Sequence, residues 1–151
     1  MVESYAHHHG WFCQREDDSA LVLQCQKEHG IYGLYLLWRA ECHTLQFSCV
    51  PDIKVPMRAQ DAIERLICLL NNHLWMGHMG IDRDSGVISY RHTALFSLQD
   101  MDGSHHHAEK MIESALAHCE RFYPSLQMVI WGGLDPRKAL ESALLDVQGQ
   151  A

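Results

Sequence analysis

The feature that most constrains this chain is a change of hydrophobic period near residue 56. Upstream of it, apolar residues alternate. In "ALVLQCQKEHG", Leu21, Leu23 and Cys25 take one side and Val22, Gln24 and Gln26 the other, the pattern of a half-buried strand. In "TLQFSCV", Leu45, Phe47 and Cys49 alternate with Thr44, Gln46 and Ser48. Between them "IYGLYLLWRAE" is apolar at both parities (Ile31, Leu34, Tyr35, Leu36, Leu37, Trp38), as expected of a strand central in its sheet. Pro51-Asp52 closes this three-stranded meander. Downstream, Ala59, Ile63, Leu66, Ile67, Leu70 and Leu74 recur at helical spacing. Arg58, Asp61, Glu64 and Arg65 cover the solvent side of this helix, and Pro56 suits its first turn.

The period then switches back. "MGHMGIDRDSGVISYRHTALFSL" reads as a hairpin turning at Asp84-Ser85-Gly86, with a long second strand from Val87 to Leu98. Asp102 or Ser104 is expected to cap the next helix, in which Ala108, Met111, Ile112, Ala115, Leu116, Cys119 and Phe122 form one apolar stripe. The residue before a proline avoids the helical region, so Tyr123 is expected to end that helix and Pro124 to open another. Gly132 and Gly133 suit a C-terminal cap with positive φ. Asp135 is placed to cap a last helix that has Pro136 at its first position and Ala139, Leu140, Ala143 and Leu144 as its apolar face. Pro124, Gly132, Gly133 and Asp135 therefore read as hinge and cap positions rather than as a ligand-binding turn.

Residues 1–19 are expected to form a short helix docked by Trp11 and Phe12. The expected fold is α+β: an antiparallel five-stranded sheet in the order α-βββ-α-ββ-α, with helices packed on one face. With 151 residues, no internal repeat and no linker, the chain reads as a single domain, 1–151.

The net charge of −7 disfavours nucleic acid and anionic membrane surfaces as partners. No window approaches the roughly 18 consecutive apolar residues of a membrane helix, and the N-terminus "MVESYAHHHG" lacks the pattern of a signal peptide. A cytoplasmic location is expected. The six cysteines contain no C-x-x-C pair and read as reduced, buried small hydrophobes.

Few constellations carry chemistry. The glycine pair precedes a helix N-terminus, but the chain lacks a P-loop and any dinucleotide-binding glycine spacing. The triplets His7-His8-His9 and His105-His106-His107 can recruit zinc, nickel or copper, yet three adjacent histidines at a helix start point around the helix rather than at one ion. His118 and Cys119 are adjacent and point about 100° apart on a helix, so they cannot form a nucleophile–base pair with each other. The aspartate pairs lie in turns and caps, where local backbone bonding explains them. With no catalytic set, neither an enzyme nor a cofactor is expected.

The strand "GVISYRHTALF", the helix "AEKMIESALAHCERFYPSL" and the closing "VIWGGLDPRKALESAL" together resemble the YbjN family, labelled as bacterial sensory transduction regulators. The resemblance runs from about Leu21 to Leu145. It implies the fold of type III secretion chaperones of the Tir type, which are small, acidic, cytoplasmic and usually dimeric. It also implies a protein-binding or regulatory scaffold with no catalytic residues to carry over, and the histidine triplets fall outside its pattern.

The leading expectation is a non-catalytic module, a chaperone-like adaptor or sensory regulator, that captures an unidentified protein partner and forms a homodimer. Excess apolar residues on the second strand imply an outer sheet face covered either by a partner or second subunit, or by the N-terminal helix with Trp11 and Phe12. Tyr35, Trp38 and Trp131 are the candidate protein-binding residues. The alternative is a metal-binding or metal-sensing protein using His105, His106 and His107.

Overall fold

The computed structural model describes residues 2–97 and 99–149; Met1, Leu98, Gln150 and Ala151 lie outside them. The chain runs α1 (Val2–His8), β1 (Phe12–Arg15), β2 (Ala20–Gln26), β3 (Ile31–Arg39), β4 (Thr44–Pro51), α2 (Gln60–Asn71), β5 (His78–Asp82), β6 (Val87–Leu95), α3 (Met101–Ile130) and α4 (Pro136–Gly149). The fold is α+β, with an antiparallel sheet ordered β1-β2-β3-β4-β6-β5.

The sheet has six strands, not five. The extra one is β1, in the segment expected to hold only a helix. It pairs with β2 in the register Phe12↔Gln24 to Arg15↔Leu21. Its hairpin is made by Asp17, whose carboxylate accepts from the Ser19 N–H and hydroxyl, each at 2.7 Å. Such an Asx-type turn needs only a short strand on each side. β3 lies between β2 and β4, well inside the sheet. β6 ends at Leu95, short of the expected Leu98.

Cross-strand register puts one apolar layer together: Leu23 opposes Leu34, Leu34 opposes Cys49, Cys49 opposes Tyr90, and Tyr90 opposes Met79. All five are buried, and they share a single core with Ile63, Leu66 and Leu70 of α2 and with Ile112, Phe122 and Leu126 of α3. α1 joins the same side, because Ala6 is buried in that core and the Tyr5 hydroxyl donates to Glu113 of α3 at 3.3 Å. The helices therefore pack on one face, and α1 leaves the opposite face uncovered.

α3 does not break at Pro124. It runs continuously for 30 residues with the proline inside it. A proline in a helix interior costs roughly 3 kcal/mol. Here Phe122 and Tyr123 before it, and Leu126, Val129 and Ile130 after it, are all buried on the same core, and that burial outweighs the missing hydrogen bond. The N-cap of α3 is Asp100 rather than Asp102 or Ser104; its side chain accepts from the Gly103 N–H at 2.8 Å. At the other end Arg58 donates to the Ile130 carbonyl at 2.9 Å, a cation on the negative end of the helix dipole.

The two glycines after α3 have different reasons to be glycine. Gly133 has φ +62°, and the turn it makes lets the Leu134 N–H reach the Met128 carbonyl at 3.1 Å. Gly132 lies outside the positive-φ region, contrary to the expectation, but a Cβ there would stand 2.7 Å from the Met128 carbonyl oxygen. Asp135 accepts from the N–H groups of Arg137 and Lys138 at 3.1 and 3.4 Å, and Pro136 opens α4.

Candidate functional site

Because strand side chains alternate, burying Tyr32, Leu34 and Leu36 of β3 sends Gly33, Tyr35 and Leu37 to the other face. The same parity brings Val22 and Gln24 of β2, Ser48 and Val50 of β4, and Ser89 and Arg91 of β6 to that face. Tyr35 is 48% exposed and its ring lies over Gly33, where a Cβ would meet it at 3.2 Å. Phe12 on β1 is 57% exposed and shares the face, since Phe12 opposes Gln24 and Gln24 opposes Gly33. Toward β5 the surface becomes a groove of mixed character, where Ser48, His78, Asp82, Ser89 and Arg91 stand beside Tyr35, Val50, Ile81 and Val87. One end of the face is thus aromatic and apolar, the other mixed, with Asp82 of β5 and Arg91 of β6 as its charged groups.

The two edges of the sheet differ. At the β5 edge the Asn71 side chain is bonded to the Met79 backbone. At the β1 edge no strand follows among the described residues. The Glu16 N–H bonds to the Ala20 carbonyl at 3.0 Å; since bonded pairs alternate along an antiparallel ladder, the backbone groups of Cys13 and Arg15 point away from β2. Beside this edge lies the exposed acidic run Glu16-Asp17-Asp18.

The expected binding residues do not form one surface. Trp38 has the parity of Leu36 and turns to the helical side, where it lines a cavity of about 210 Å³ with Val2, Leu21, Leu45 and Phe96. Trp131 is 61% exposed at the C-terminal end of α3. Only Tyr35 stands on the open sheet face. Phe12, which the sequence reading assigned to docking a helix, accompanies it there; Trp11 instead packs edge-on to Tyr5 at 5.5 Å.

His105, His106 and His107 occupy the first turns of α3, His105 half-buried and the other two exposed. His107 packs edge-on to Phe96, with ring centroids 5.3 Å apart. Among the described residues neither triplet belongs to a converging set of three or more His, Cys, Asp or Glu ligand atoms. The one converging set of His, Cys, Asp or Glu ligands among those residues is elsewhere: Glu28 and His29 in the β2–β3 turn and Glu120 on α3. Sequence reasoning missed it, since the turn and the helix position are 91 residues apart.

The cysteines offer no activated nucleophile in the core. Burial pushes the Cys25 thiol up to about 11. A hydrogen bond with Cys119, together with burial, holds Cys49 well above the ordinary thiol range. Both stay protonated near neutral pH, whereas a nucleophile needs the thiolate. His118 stacks on Tyr90 at 6.1 Å. No helix among the described residues is long and apolar enough to cross a membrane.

The model of the YbjN family, described as "Putative bacterial sensory transduction regulator", matches residues 1–128. The match begins before Leu21 and stops short of the "VIWGGLDPRKALESAL" segment. A comparison with curated proteins gives no significant match. Among solved structures, the chain is similar to one in the crystal structure of the ExsC-ExsE complex, with a TM-score of 0.49 and 19% identity, covering 84% of this chain and 88% of that one.

Proposed function

This chain belongs to the YbjN family, and from that premise we propose that it is a non-catalytic regulatory module that captures an extended segment of another protein, in the manner of a chaperone-like adaptor. The observation that carries this reading is the sheet face without helices, with Phe12 and Tyr35 exposed on it next to an unpaired edge. An extended segment can add to such an edge through its backbone and place alternate side chains on the adjoining face. The acidic run beside β1, in a chain of net charge −7, favours a segment that carries Lys or Arg beside its apolar residues.

The test is a comparison of captured proteins. The full chain and a Phe12→Glu/Tyr35→Glu variant are used as baits in the native cell extract, with Trp131→Ala as a control. A partner retained by the wild type and Trp131→Ala but lost by the double variant supports the reading; a partner indifferent to both face residues overturns it. Sedimentation of the same proteins covers the homodimer expectation. If the double variant instead turns a dimer into a monomer, the face belongs to a second copy.

A further inference from the structure

We propose that Glu28, His29 and Glu120 form a divalent-cation site at the junction of the β2–β3 turn and α3, unrelated to either histidine triplet. One donor atom from each of the three lies within 4.8 Å of the other two. Ligand atoms bonded to one ion at about 2.0–2.2 Å stand no more than about 4.4 Å apart. Small rotamer changes in Glu28 and His29, both exposed, bring the set to coordination distance.

One of the three ligands, Glu120, is oriented without any ion. Glu120 accepts at 2.7 Å from the hydroxyl of Tyr32, a residue with 0% exposure, and both its oxygens lie 3.2 Å from the His29 N–H. The His29 ring stacks at 15° on Tyr123, whose own hydroxyl is fixed on Asp52 at 2.9 Å. A carboxylate held by a buried hydroxyl is the outer-shell support that metal ligands commonly have.

Charge points the same way. Glu28 and Glu120 bring two carboxylates together, which repel at this distance. The ion pairs among the described residues are Arg15–Glu3, Arg83 with Asp61 and Glu64, and Lys110–Glu113, so neither carboxylate is neutralised by a side chain. A cation in their midst removes that repulsion. Two carboxylates and one imidazole suit Mn²⁺ or Zn²⁺, with water completing the shell.

Mn²⁺ is the discriminating probe, because carboxylate-rich sites accept it whereas bare imidazole runs favour copper, nickel and zinc. The free Mn²⁺ signal in electron paramagnetic resonance is titrated with the full chain. The expected result is one ion per chain, with affinity falling by at least about tenfold in His29→Ala, Glu28→Gln and Glu120→Gln. A variant with His105, His106 and His107 changed to asparagine should bind as the wild type does. Glu28 lies in an exposed turn, so Glu28→Gln keeps the test decisive even if Glu120→Gln weakens the fold. No saturable uptake, affinity unchanged in Glu28→Gln and His29→Ala, or loss of binding in the triplet variant would overturn the site.

Discussion

The Asn71 side chain pairs with the backbone of Met79 in both directions: its amide donates to the Met79 carbonyl at 3.0 Å, and its oxygen accepts from the Met79 N–H at 2.8 Å. Met79 lies on β5, the last strand of the sheet. The side chain thus satisfies the groups that a further strand would take, and protects the edge. Asn71→Ala is expected to lower the unfolding free energy by about 1–3 kcal/mol and to produce concentration-dependent association. Urea unfolding and sedimentation read the two effects, and a monomeric variant of wild-type stability would refute this role.

The two glycines after α3 separate by substitution. Gly133→Ala places a Cβ in the left-handed region, at a cost of roughly 1–2 kcal/mol, with no atom within 4 Å to obstruct it. Gly132→Val drives its Cβ toward the Met128 carbonyl and should be the more damaging change. Equal melting temperatures for the two variants would mean that the steric contact at Gly132 is relieved by a shift of the chain.

Acid should weaken the fold through His118. Burial, and then the nearby Arg121, lower its pKa; burial does the same for His92, with His107 and His78 adding to it. The folded state therefore holds these rings neutral more firmly than the unfolded chain does. The stability gained is complete above the ordinary imidazole value of about 6.5 and is lost as pH falls from there toward the lowered folded values. His118→Gln is expected to flatten that part of the pH–stability curve. A slope equal to that of the wild type would exclude His118 as its source.

Neighbouring residues of β3 should differ sharply in their effect on stability. Leu34, fully buried in the core, should lose about 2–5 kcal/mol as Leu34→Ala. Tyr35, on the open face, should lose far less as Tyr35→Ser, near the ±0.5 kcal/mol common for surface changes. Denaturant titration checks both, and a large cost at Tyr35 would show that the outer face is packed.

What could be read from the sequence follows how local its cause was. The alternation of Leu21, Leu23 and Cys25 and the stripe from Ile63 to Leu70 reflect period alone, and these residues lie in β2 and α2 with the expected side buried. β1 was hidden because Phe12–Arg15 is too short for alternation to show, although the Asp17-Asp18-Ser19 turn before Ala20 was its available signal. Pro124 misled because its local preference is overridden by core residues on both sides of it. Tyr35 and Trp38 are three positions apart on one strand, so their opposite faces were implied by parity. The approach of Glu28 and His29 to Glu120 depends on how α3 lies across the β2–β3 turn, which no local pattern encodes.

The sheet with helices on only one side has an evolutionary consequence. Residues such as Leu34, Cys49 and Tyr90 answer to the core, while Phe12, Tyr35, Ser48 and Arg91 project from the other side of the same strands. Substitutions on the outer layer can accumulate without a folding penalty to eliminate them. One scaffold can therefore vary on its outer layer while its interior is held by packing.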